Sequence, residues 1–148
     1  MLVKGLLIDP KEKTITEVQH DTADYKEIYK LIDCEPSPFT IVHIGDGRDV
    51  IFVDDEGLFK DPRYFFTIAG YPQPIAGKGL VLGGNEEGET ISAEITLEDL
   101  KKVIGFTELS LKGFKQYSGT MDHPFMGKDT PVFGQVPIFE PPDEKQKH

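Results

Sequence analysis

The chain has 148 residues, enough for a domain with its own core, and its 38% apolar and 28% charged composition is that of a globular protein. No apolar run approaches the roughly 18 residues of a membrane span, and the N-terminal run breaks at Asp9-Pro10, too early for a signal-peptide core, so a cytoplasmic protein without a membrane partner is expected. Twenty-six acidic against 16 basic residues leave a net charge of −10, which repels phosphate backbones and argues against direct nucleic-acid binding.

In chain order, residues 2–8 form an apolar run and residues 14–18 alternate, so residues 10–13 are predicted to turn one strand into an antiparallel second. Tyr25, Ile28, Tyr29 and Ile32 recur at helical spacing, with Asp24 and Glu27 in a capping-box pattern and Pro36 and Pro38 forbidding continuation. Residues 39–44 and 50–53 flank Gly45-Asp46-Gly47-Arg48 and predict a tight hairpin. Asp54-Asp55-Glu56-Gly57 turns the chain, and Asp61-Pro62-Arg63 breaks it again before residues 64–68, which read as a strand or a buried loop. Residues 79–82 predict a buried strand, 83–88 an acidic turn, and 89–93 a short strand. Thr96 caps a second helix of about ten residues, with Ile95 and Leu100 as a hydrophobic staple and Gly105 as its stop. Residues 106–117 alternate loosely as one more strand.

From residue 118 onward come five of the eleven prolines together with Phe125, Phe133 and Phe139, which predicts an extended arm packing on the domain or on a neighbouring subunit. The expected fold is therefore α+β: residues 1–117 as a single domain, a mostly antiparallel twisted sheet of five or six strands with two helices on one face, and residues 118–148 as an extended C-terminal arm with a loose end. Short strands with open edges and a Pro/Phe-rich arm predict a homodimer.

Candidate chemistry is sparse. Cys34 is the sole cysteine, which excludes an intramolecular disulfide, and it reads as a buried structural thiol. Gly77-Lys78-Gly79 lacks the third glycine of a dinucleotide fingerprint and no helix follows, so these glycines read as close-packing residues at a strand entry. The carboxylates Asp46, Asp49, Asp54, Asp55, Glu56, Glu86, Glu87 and Glu89 lack the alternation of a calcium loop and read as solvated turns. His20, His43, His123 and His148 have no metal-ligand spacing, and Ser118 near Asp122-His123 lacks a nucleophile elbow. No catalytic residue, metal ligand or cofactor is assigned.

The most ligand-like set is Arg63, Tyr64, Phe66, Tyr71 and Lys78, where aromatic faces and cations would stack on and neutralise a small anionic, nucleotide-like ligand. An aromatic core cluster is the competing reading. The leading functional expectation is a non-enzymatic accessory protein that meets a protein partner of basic character through its acidic surface, with small-molecule binding as the alternative.

Across residues 5–106 the order of features is an N-terminal hairpin, a helix, the turn Asp55-Glu56-Gly57-Leu58, a Pro/Arg element, Ile75-Ala76-Gly77 followed by Leu80-Val81-Leu82, and a T-x-E-D helix from Thr96. This order resembles a family of short uncharacterised proteins of bacteriophages and mobile elements. The chain departs from it at Asp61-Pro62-Arg63, where the family tends to show Pro-Asn-Arg, and its last forty or so residues have no counterpart there. The resemblance implies an α+β domain in a phage-like setting and brings no activity with it.

Overall fold

The computed structural model describes residues 1–44, 47–60 and 62–142. The chain divides into two compact units, Met1–Glu108 and the residues from Leu109 onward. In the first unit, strands β1 (Leu2–Asp9) and β2 (Thr14–Asp21) form the expected hairpin, in register from Leu2↔Asp21 to Asp9↔Thr14. The Asp9 carboxylate closes the turn by accepting from the backbone N–H groups of Lys11 and Glu12.

Helix α1 is confined to Lys26–Leu31. Asp24 Oδ1 accepts from the Lys26 N–H, but Glu27 does not complete the expected box. Its Oε1 lies 2.8 Å from His20 Nδ1 and also accepts from the Asp21 N–H. The reason is burial: His20 is 2% exposed, and an unpartnered polar atom in that position costs more than one that water can reach. Asp33, at φ 55°, ends the helix in the left-handed region, and the Cys34 N–H returns to the Tyr29 carbonyl.

Strands β3 (Phe39–His43) and β4 (Asp49–Asp54) pair as expected, although Gly45 and Asp46 of their turn lie outside the described residues, as does Asp61. After a 3-10 turn at Gly57–Phe59 come β5 (Tyr64–Ile68), β6 (Ile75–Ala76), β7 (Gly79–Gly84), β8 (Thr90–Ile91), helix α2 (Leu97–Val103) and β9 (Ile104–Glu108). Thr96 Oγ1 accepts from the Asp99 N–H, the predicted cap. Helix α2 has seven residues and runs directly into β9. Gly105, the expected stop, is instead paired with Thr67 in that strand, where an added Cβ would come 2.7 Å from Thr67 Oγ1.

One sheet has the order β2-β1-β7-β4-β3 with β8 also on β7, and a second has the order β6-β5-β9; every pairing is antiparallel. This overturns the expectation of one sheet with both helices on one face. The central strands are apolar on both sides. Leu6, Ile8, Ile51, Val53 and Val81 point into a core shared with Phe66 and Ile68 of β5 and Leu100 of α2. The alternate residues Val3, Phe52, Leu80 and Leu82 point into a separate core with Ile28 and Ile32 of α1. Side chains alternate along a strand, so the two helices cover opposite faces, and residues 64–68 and 104–108 form a layer of their own.

The second unit is a hairpin of two 14-residue strands, β10 (Ser110–His123) and β11 (Gly127–Glu140). The arm expected from residue 118 is thus largely strand, and the boundary expected after residue 117 falls inside β10. Among the described residues no helix is long and apolar enough to cross a membrane.

Candidate functional site

A cleft of about 260 Å³ lies where five connections of the first unit meet. The β1–β2 turn contributes Asp9 and Lys11, the end of α1 contributes Asp33, and the 3-10 segment contributes Lys60. Arg63 and Tyr64 come from the entry to β5, and Gly77 and Lys78 from the link between β6 and β7. Four cations (Lys11, Lys60, Arg63, Lys78) therefore face three carboxylates (Asp9, Asp33, Asp54), a positive balance on a chain of net charge −10.

The cations are held differently. Lys60 Nζ lies 2.6 Å from Asp54 Oδ2 and donates to the Cys34 carbonyl; the Asp54 side chain is only 8% exposed, so this pair is a fixed brace. Lys78 Nζ is 2.6 Å from Asp33 Oδ2 and 3.9 Å from Asp9 Oδ2. Its hydrogen bond to Asp33 raises its pKa above the ordinary lysine value, against the lowering effect of burial. Asp33 is 66% exposed, and a pair with so solvated a member contributes about 0–1 kcal/mol, so Lys78 can change partner at little cost.

Arg63 is 13% exposed and donates through Nε to Glu108 Oε1 at 2.9 Å, at the end of the β5–β9 ladder where Tyr64 faces Glu108. Its guanidinium carbon sits 5.6 Å from the centre of the Tyr64 ring, within cation–π range. Its Nη1 is buried with no protein acceptor. Lys60 is thus committed to its brace, whereas Arg63 keeps one nitrogen without a protein acceptor, Lys78 is held by an exchangeable partner, and the exposed Lys11 side chain at the rim makes no ion pair among the described residues.

Of the five residues singled out from sequence, the structure brings Arg63, Tyr64 and Lys78 to this cleft. Phe66 is fully buried in the core, and Tyr71 lines a separate depression of about 150 Å³ with Phe59 and Pro74. Lys60, Asp33 and Asp54 were missed, although Lys60 stands three residues before Arg63 in the same charged loop. The carboxylates read as solvated turns include two that are not: Asp54, and Asp49, which is 6% exposed and accepts the backbone N–H groups of Glu94 and Ile95. Cys34 is buried, as expected, and burial first, then the nearby Asp54 charge, pushes its thiol pKa up. Among the described residues no three His, Cys, Asp or Glu side chains are grouped to hold a metal ion.

The profile of a family described as a domain of unknown function, DUF3846, matches residues 3–105. The chain belongs to DUF3846. That match contains every residue lining the cleft, whereas Glu108 and the β10–β11 hairpin lie beyond it. This DUF3846 chain is also similar to the uncharacterized protein y4iR of Sinorhizobium fredii (strain NBRC 101917 / NGR234), at 30% identity over 94 residues, 63% of this chain and 56% of the relative. It therefore spans little more than half the length of that relative. No solved structure matches the DUF3846 chain.

Proposed function

We propose that the DUF3846 unit binds a small anionic molecule in the cleft between Arg63, Tyr64 and Lys78. The observation that carries this reading is the convergence of Arg63 and Lys78 on one cavity of an otherwise acidic chain, with Lys78 held there only by a solvated, exchangeable carboxylate. Lys78 exchanges Asp33 for the ligand, Arg63 adds a planar donor, and the Tyr64 ring supplies an apolar wall. A volume of about 260 Å³ is just below the roughly 300–1,000 Å³ of drug-sized ligand sites, which favours a compact anion over an extended dinucleotide. Lys60 is a brace in this reading and makes no ligand contact.

The test is a thermal-shift titration of the full chain with inorganic phosphate, small dicarboxylates and nucleoside monophosphates. A ligand at 100 times its Kd stabilises by about 2.7 kcal/mol, a rise in Tm of about 10 °C for a domain of this size. Arg63→Gln and Lys78→Met abolish the rise and leave the far-UV circular dichroism unchanged. If no anion in the panel moves the wild-type transition, the reading fails.

A second reading rests on the exposed carboxylates Glu86, Glu87, Glu89, Glu94 and Glu98, which follow one another from the β7–β8 turn into α2. They support a salt-sensitive encounter with a basic protein partner, and the sequence resemblance of residues 5–106 suggests a phage-like or mobile-element setting for it. Triple substitution of Glu86, Glu87 and Glu89 by Gln lowers such binding at low salt; undiminished binding by the triple variant counts against it.

A further inference from the structure

The β10–β11 hairpin is a two-stranded sheet that no third strand joins among the described residues. A two-stranded hairpin taken by itself is marginal in water, and a third strand with a hydrophobic face is one way to stabilise it. Its two edges differ in chemistry. β11 contains Pro131 and Pro137, opposite Thr120 and Phe114. Proline has no N–H to give a ladder, so it is accommodated where the backbone points away from the paired strand. The two prolines share one parity, so both blunt the outer edge of β11. By the same register the backbone groups of Gln116, Ser118 and Thr120 point outward from β10, and β10 contains no proline from Ser110 to His123. One edge is closed to a further strand; the other is open.

The open edge is also self-complementary. Regular pairing runs from Gly113 to Met121, bracketed by irregularities between Leu111 and Gly113 and between Met121 and His123. The midpoint of that stretch is Tyr117. A two-fold axis there lays the stretch antiparallel on a second copy and matches Gln116 with Ser118 of the second copy, outward position to outward position, as an antiparallel ladder requires. The same alignment sets Lys112, in the first irregularity, opposite Asp122 of the second copy, in the other, and symmetry repeats the pair. β10 carries two lysines and one aspartate, so this approach does not press acidic surface on acidic surface in a chain of net charge −10.

We propose that β10 is the homodimer edge: two copies join their hairpins into a four-stranded sheet ordered β11-β10-β10-β11. The prolines then lie on both outer edges of the composite sheet, which stops growth at two copies. A foreign strand adding to β10 would gain the backbone hydrogen bonds but not the Lys112–Asp122 match.

The test is the mass of the full chain in solution by light scattering coupled to size exclusion, from about 1 to 100 µM, a range that spans ordinary dimer affinities. A dimer is expected. Ser118→Pro, which places a proline at an outward position as β11 does twice, yields a monomer with an unchanged far-UV spectrum. Lys112→Asp raises the dissociation constant roughly tenfold through two like-charge cross-strand pairs, and adding Asp122→Lys restores it. A wild type that is monomeric throughout, a Ser118→Pro variant that still dimerises, or a charge swap that fails to rescue Lys112→Asp overturns the proposal.

Discussion

Replacing Asp49 by Ala is expected to cost more than any other single change to a charged residue of the first unit. Asp49 begins β4, is 6% exposed, and accepts the Glu94 N–H at 2.8 Å through Oδ1 and the Ile95 N–H at 2.7 Å through Oδ2. Those two amides lie in the link between β8 and α2, so one carboxylate fastens the approach to the helix onto the main sheet. Hydrogen bonds to a charged acceptor contribute about 1.5–3 kcal/mol each, and removal of the carboxylate recovers part of its desolvation cost, which leaves a net loss of about 2–4 kcal/mol. That is a large share of the roughly 5–15 kcal/mol by which domains are stable. Asp49→Asn keeps one acceptor and is expected to lose about half as much. Urea unfolding followed by circular dichroism measures the change, and amide hydrogen exchange at Glu94 and Ile95 reports the local release. A Asp49→Ala variant within about 0.5 kcal/mol of wild type would mean that the link is held by its other ties, the Ala93 N–H to the Lys4 carbonyl and the Lys4 N–H to Ser92 Oγ.

Gly79→Ala is expected to destabilise by about 1–3 kcal/mol, because its Cβ would stand 2.8 Å from both Ile51 Cγ2 and Phe66 Cζ in a filled core; an unchanged melting temperature refutes this. The folded-state pKa of Lys78 is raised, so its pair with Asp33 contributes fully below the ordinary lysine value of 10.5 and is lost as pH rises through the folded value. Lys78→Met removes that alkaline loss, which solvent screening keeps below about 1 kcal/mol; an identical alkaline limb in the variant contradicts the assignment. Cys34 is expected to react with a thiol reagent near pH 8 only on unfolding, and rapid labelling of the native chain would contradict its burial.

Local order was legible where neighbouring residues decide it. The β1–β2 hairpin, the Thr96 cap and the β3–β4 pairing rest on turn chemistry and alternation within a few residues of one another. What failed was depth. Residues 79–82 announced a buried strand, but a run apolar on both sides does not say which layers will cover it, and the two helices were assigned to one face. The same gap split the ligand-like set: Tyr64, at the entry to β5, lines the cleft, while Phe66, two residues on, fills the core. Nor could charge alone separate the buried acceptor Asp49 from the exposed Glu86, since the difference is made by backbone amides some 45 residues away.

The position of β7 has a consequence for the order of assembly. β7 lies between β1 and β4, yet it leaves the ribosome after both, so the β1–β2 and β3–β4 hairpins emerge first with nothing to join them. Two preformed edges wait for a single wedge. Closure of the sheet is thereby deferred until β7 is available, and nascent chains truncated before Gly79 hold two ribbons with no strand to join them.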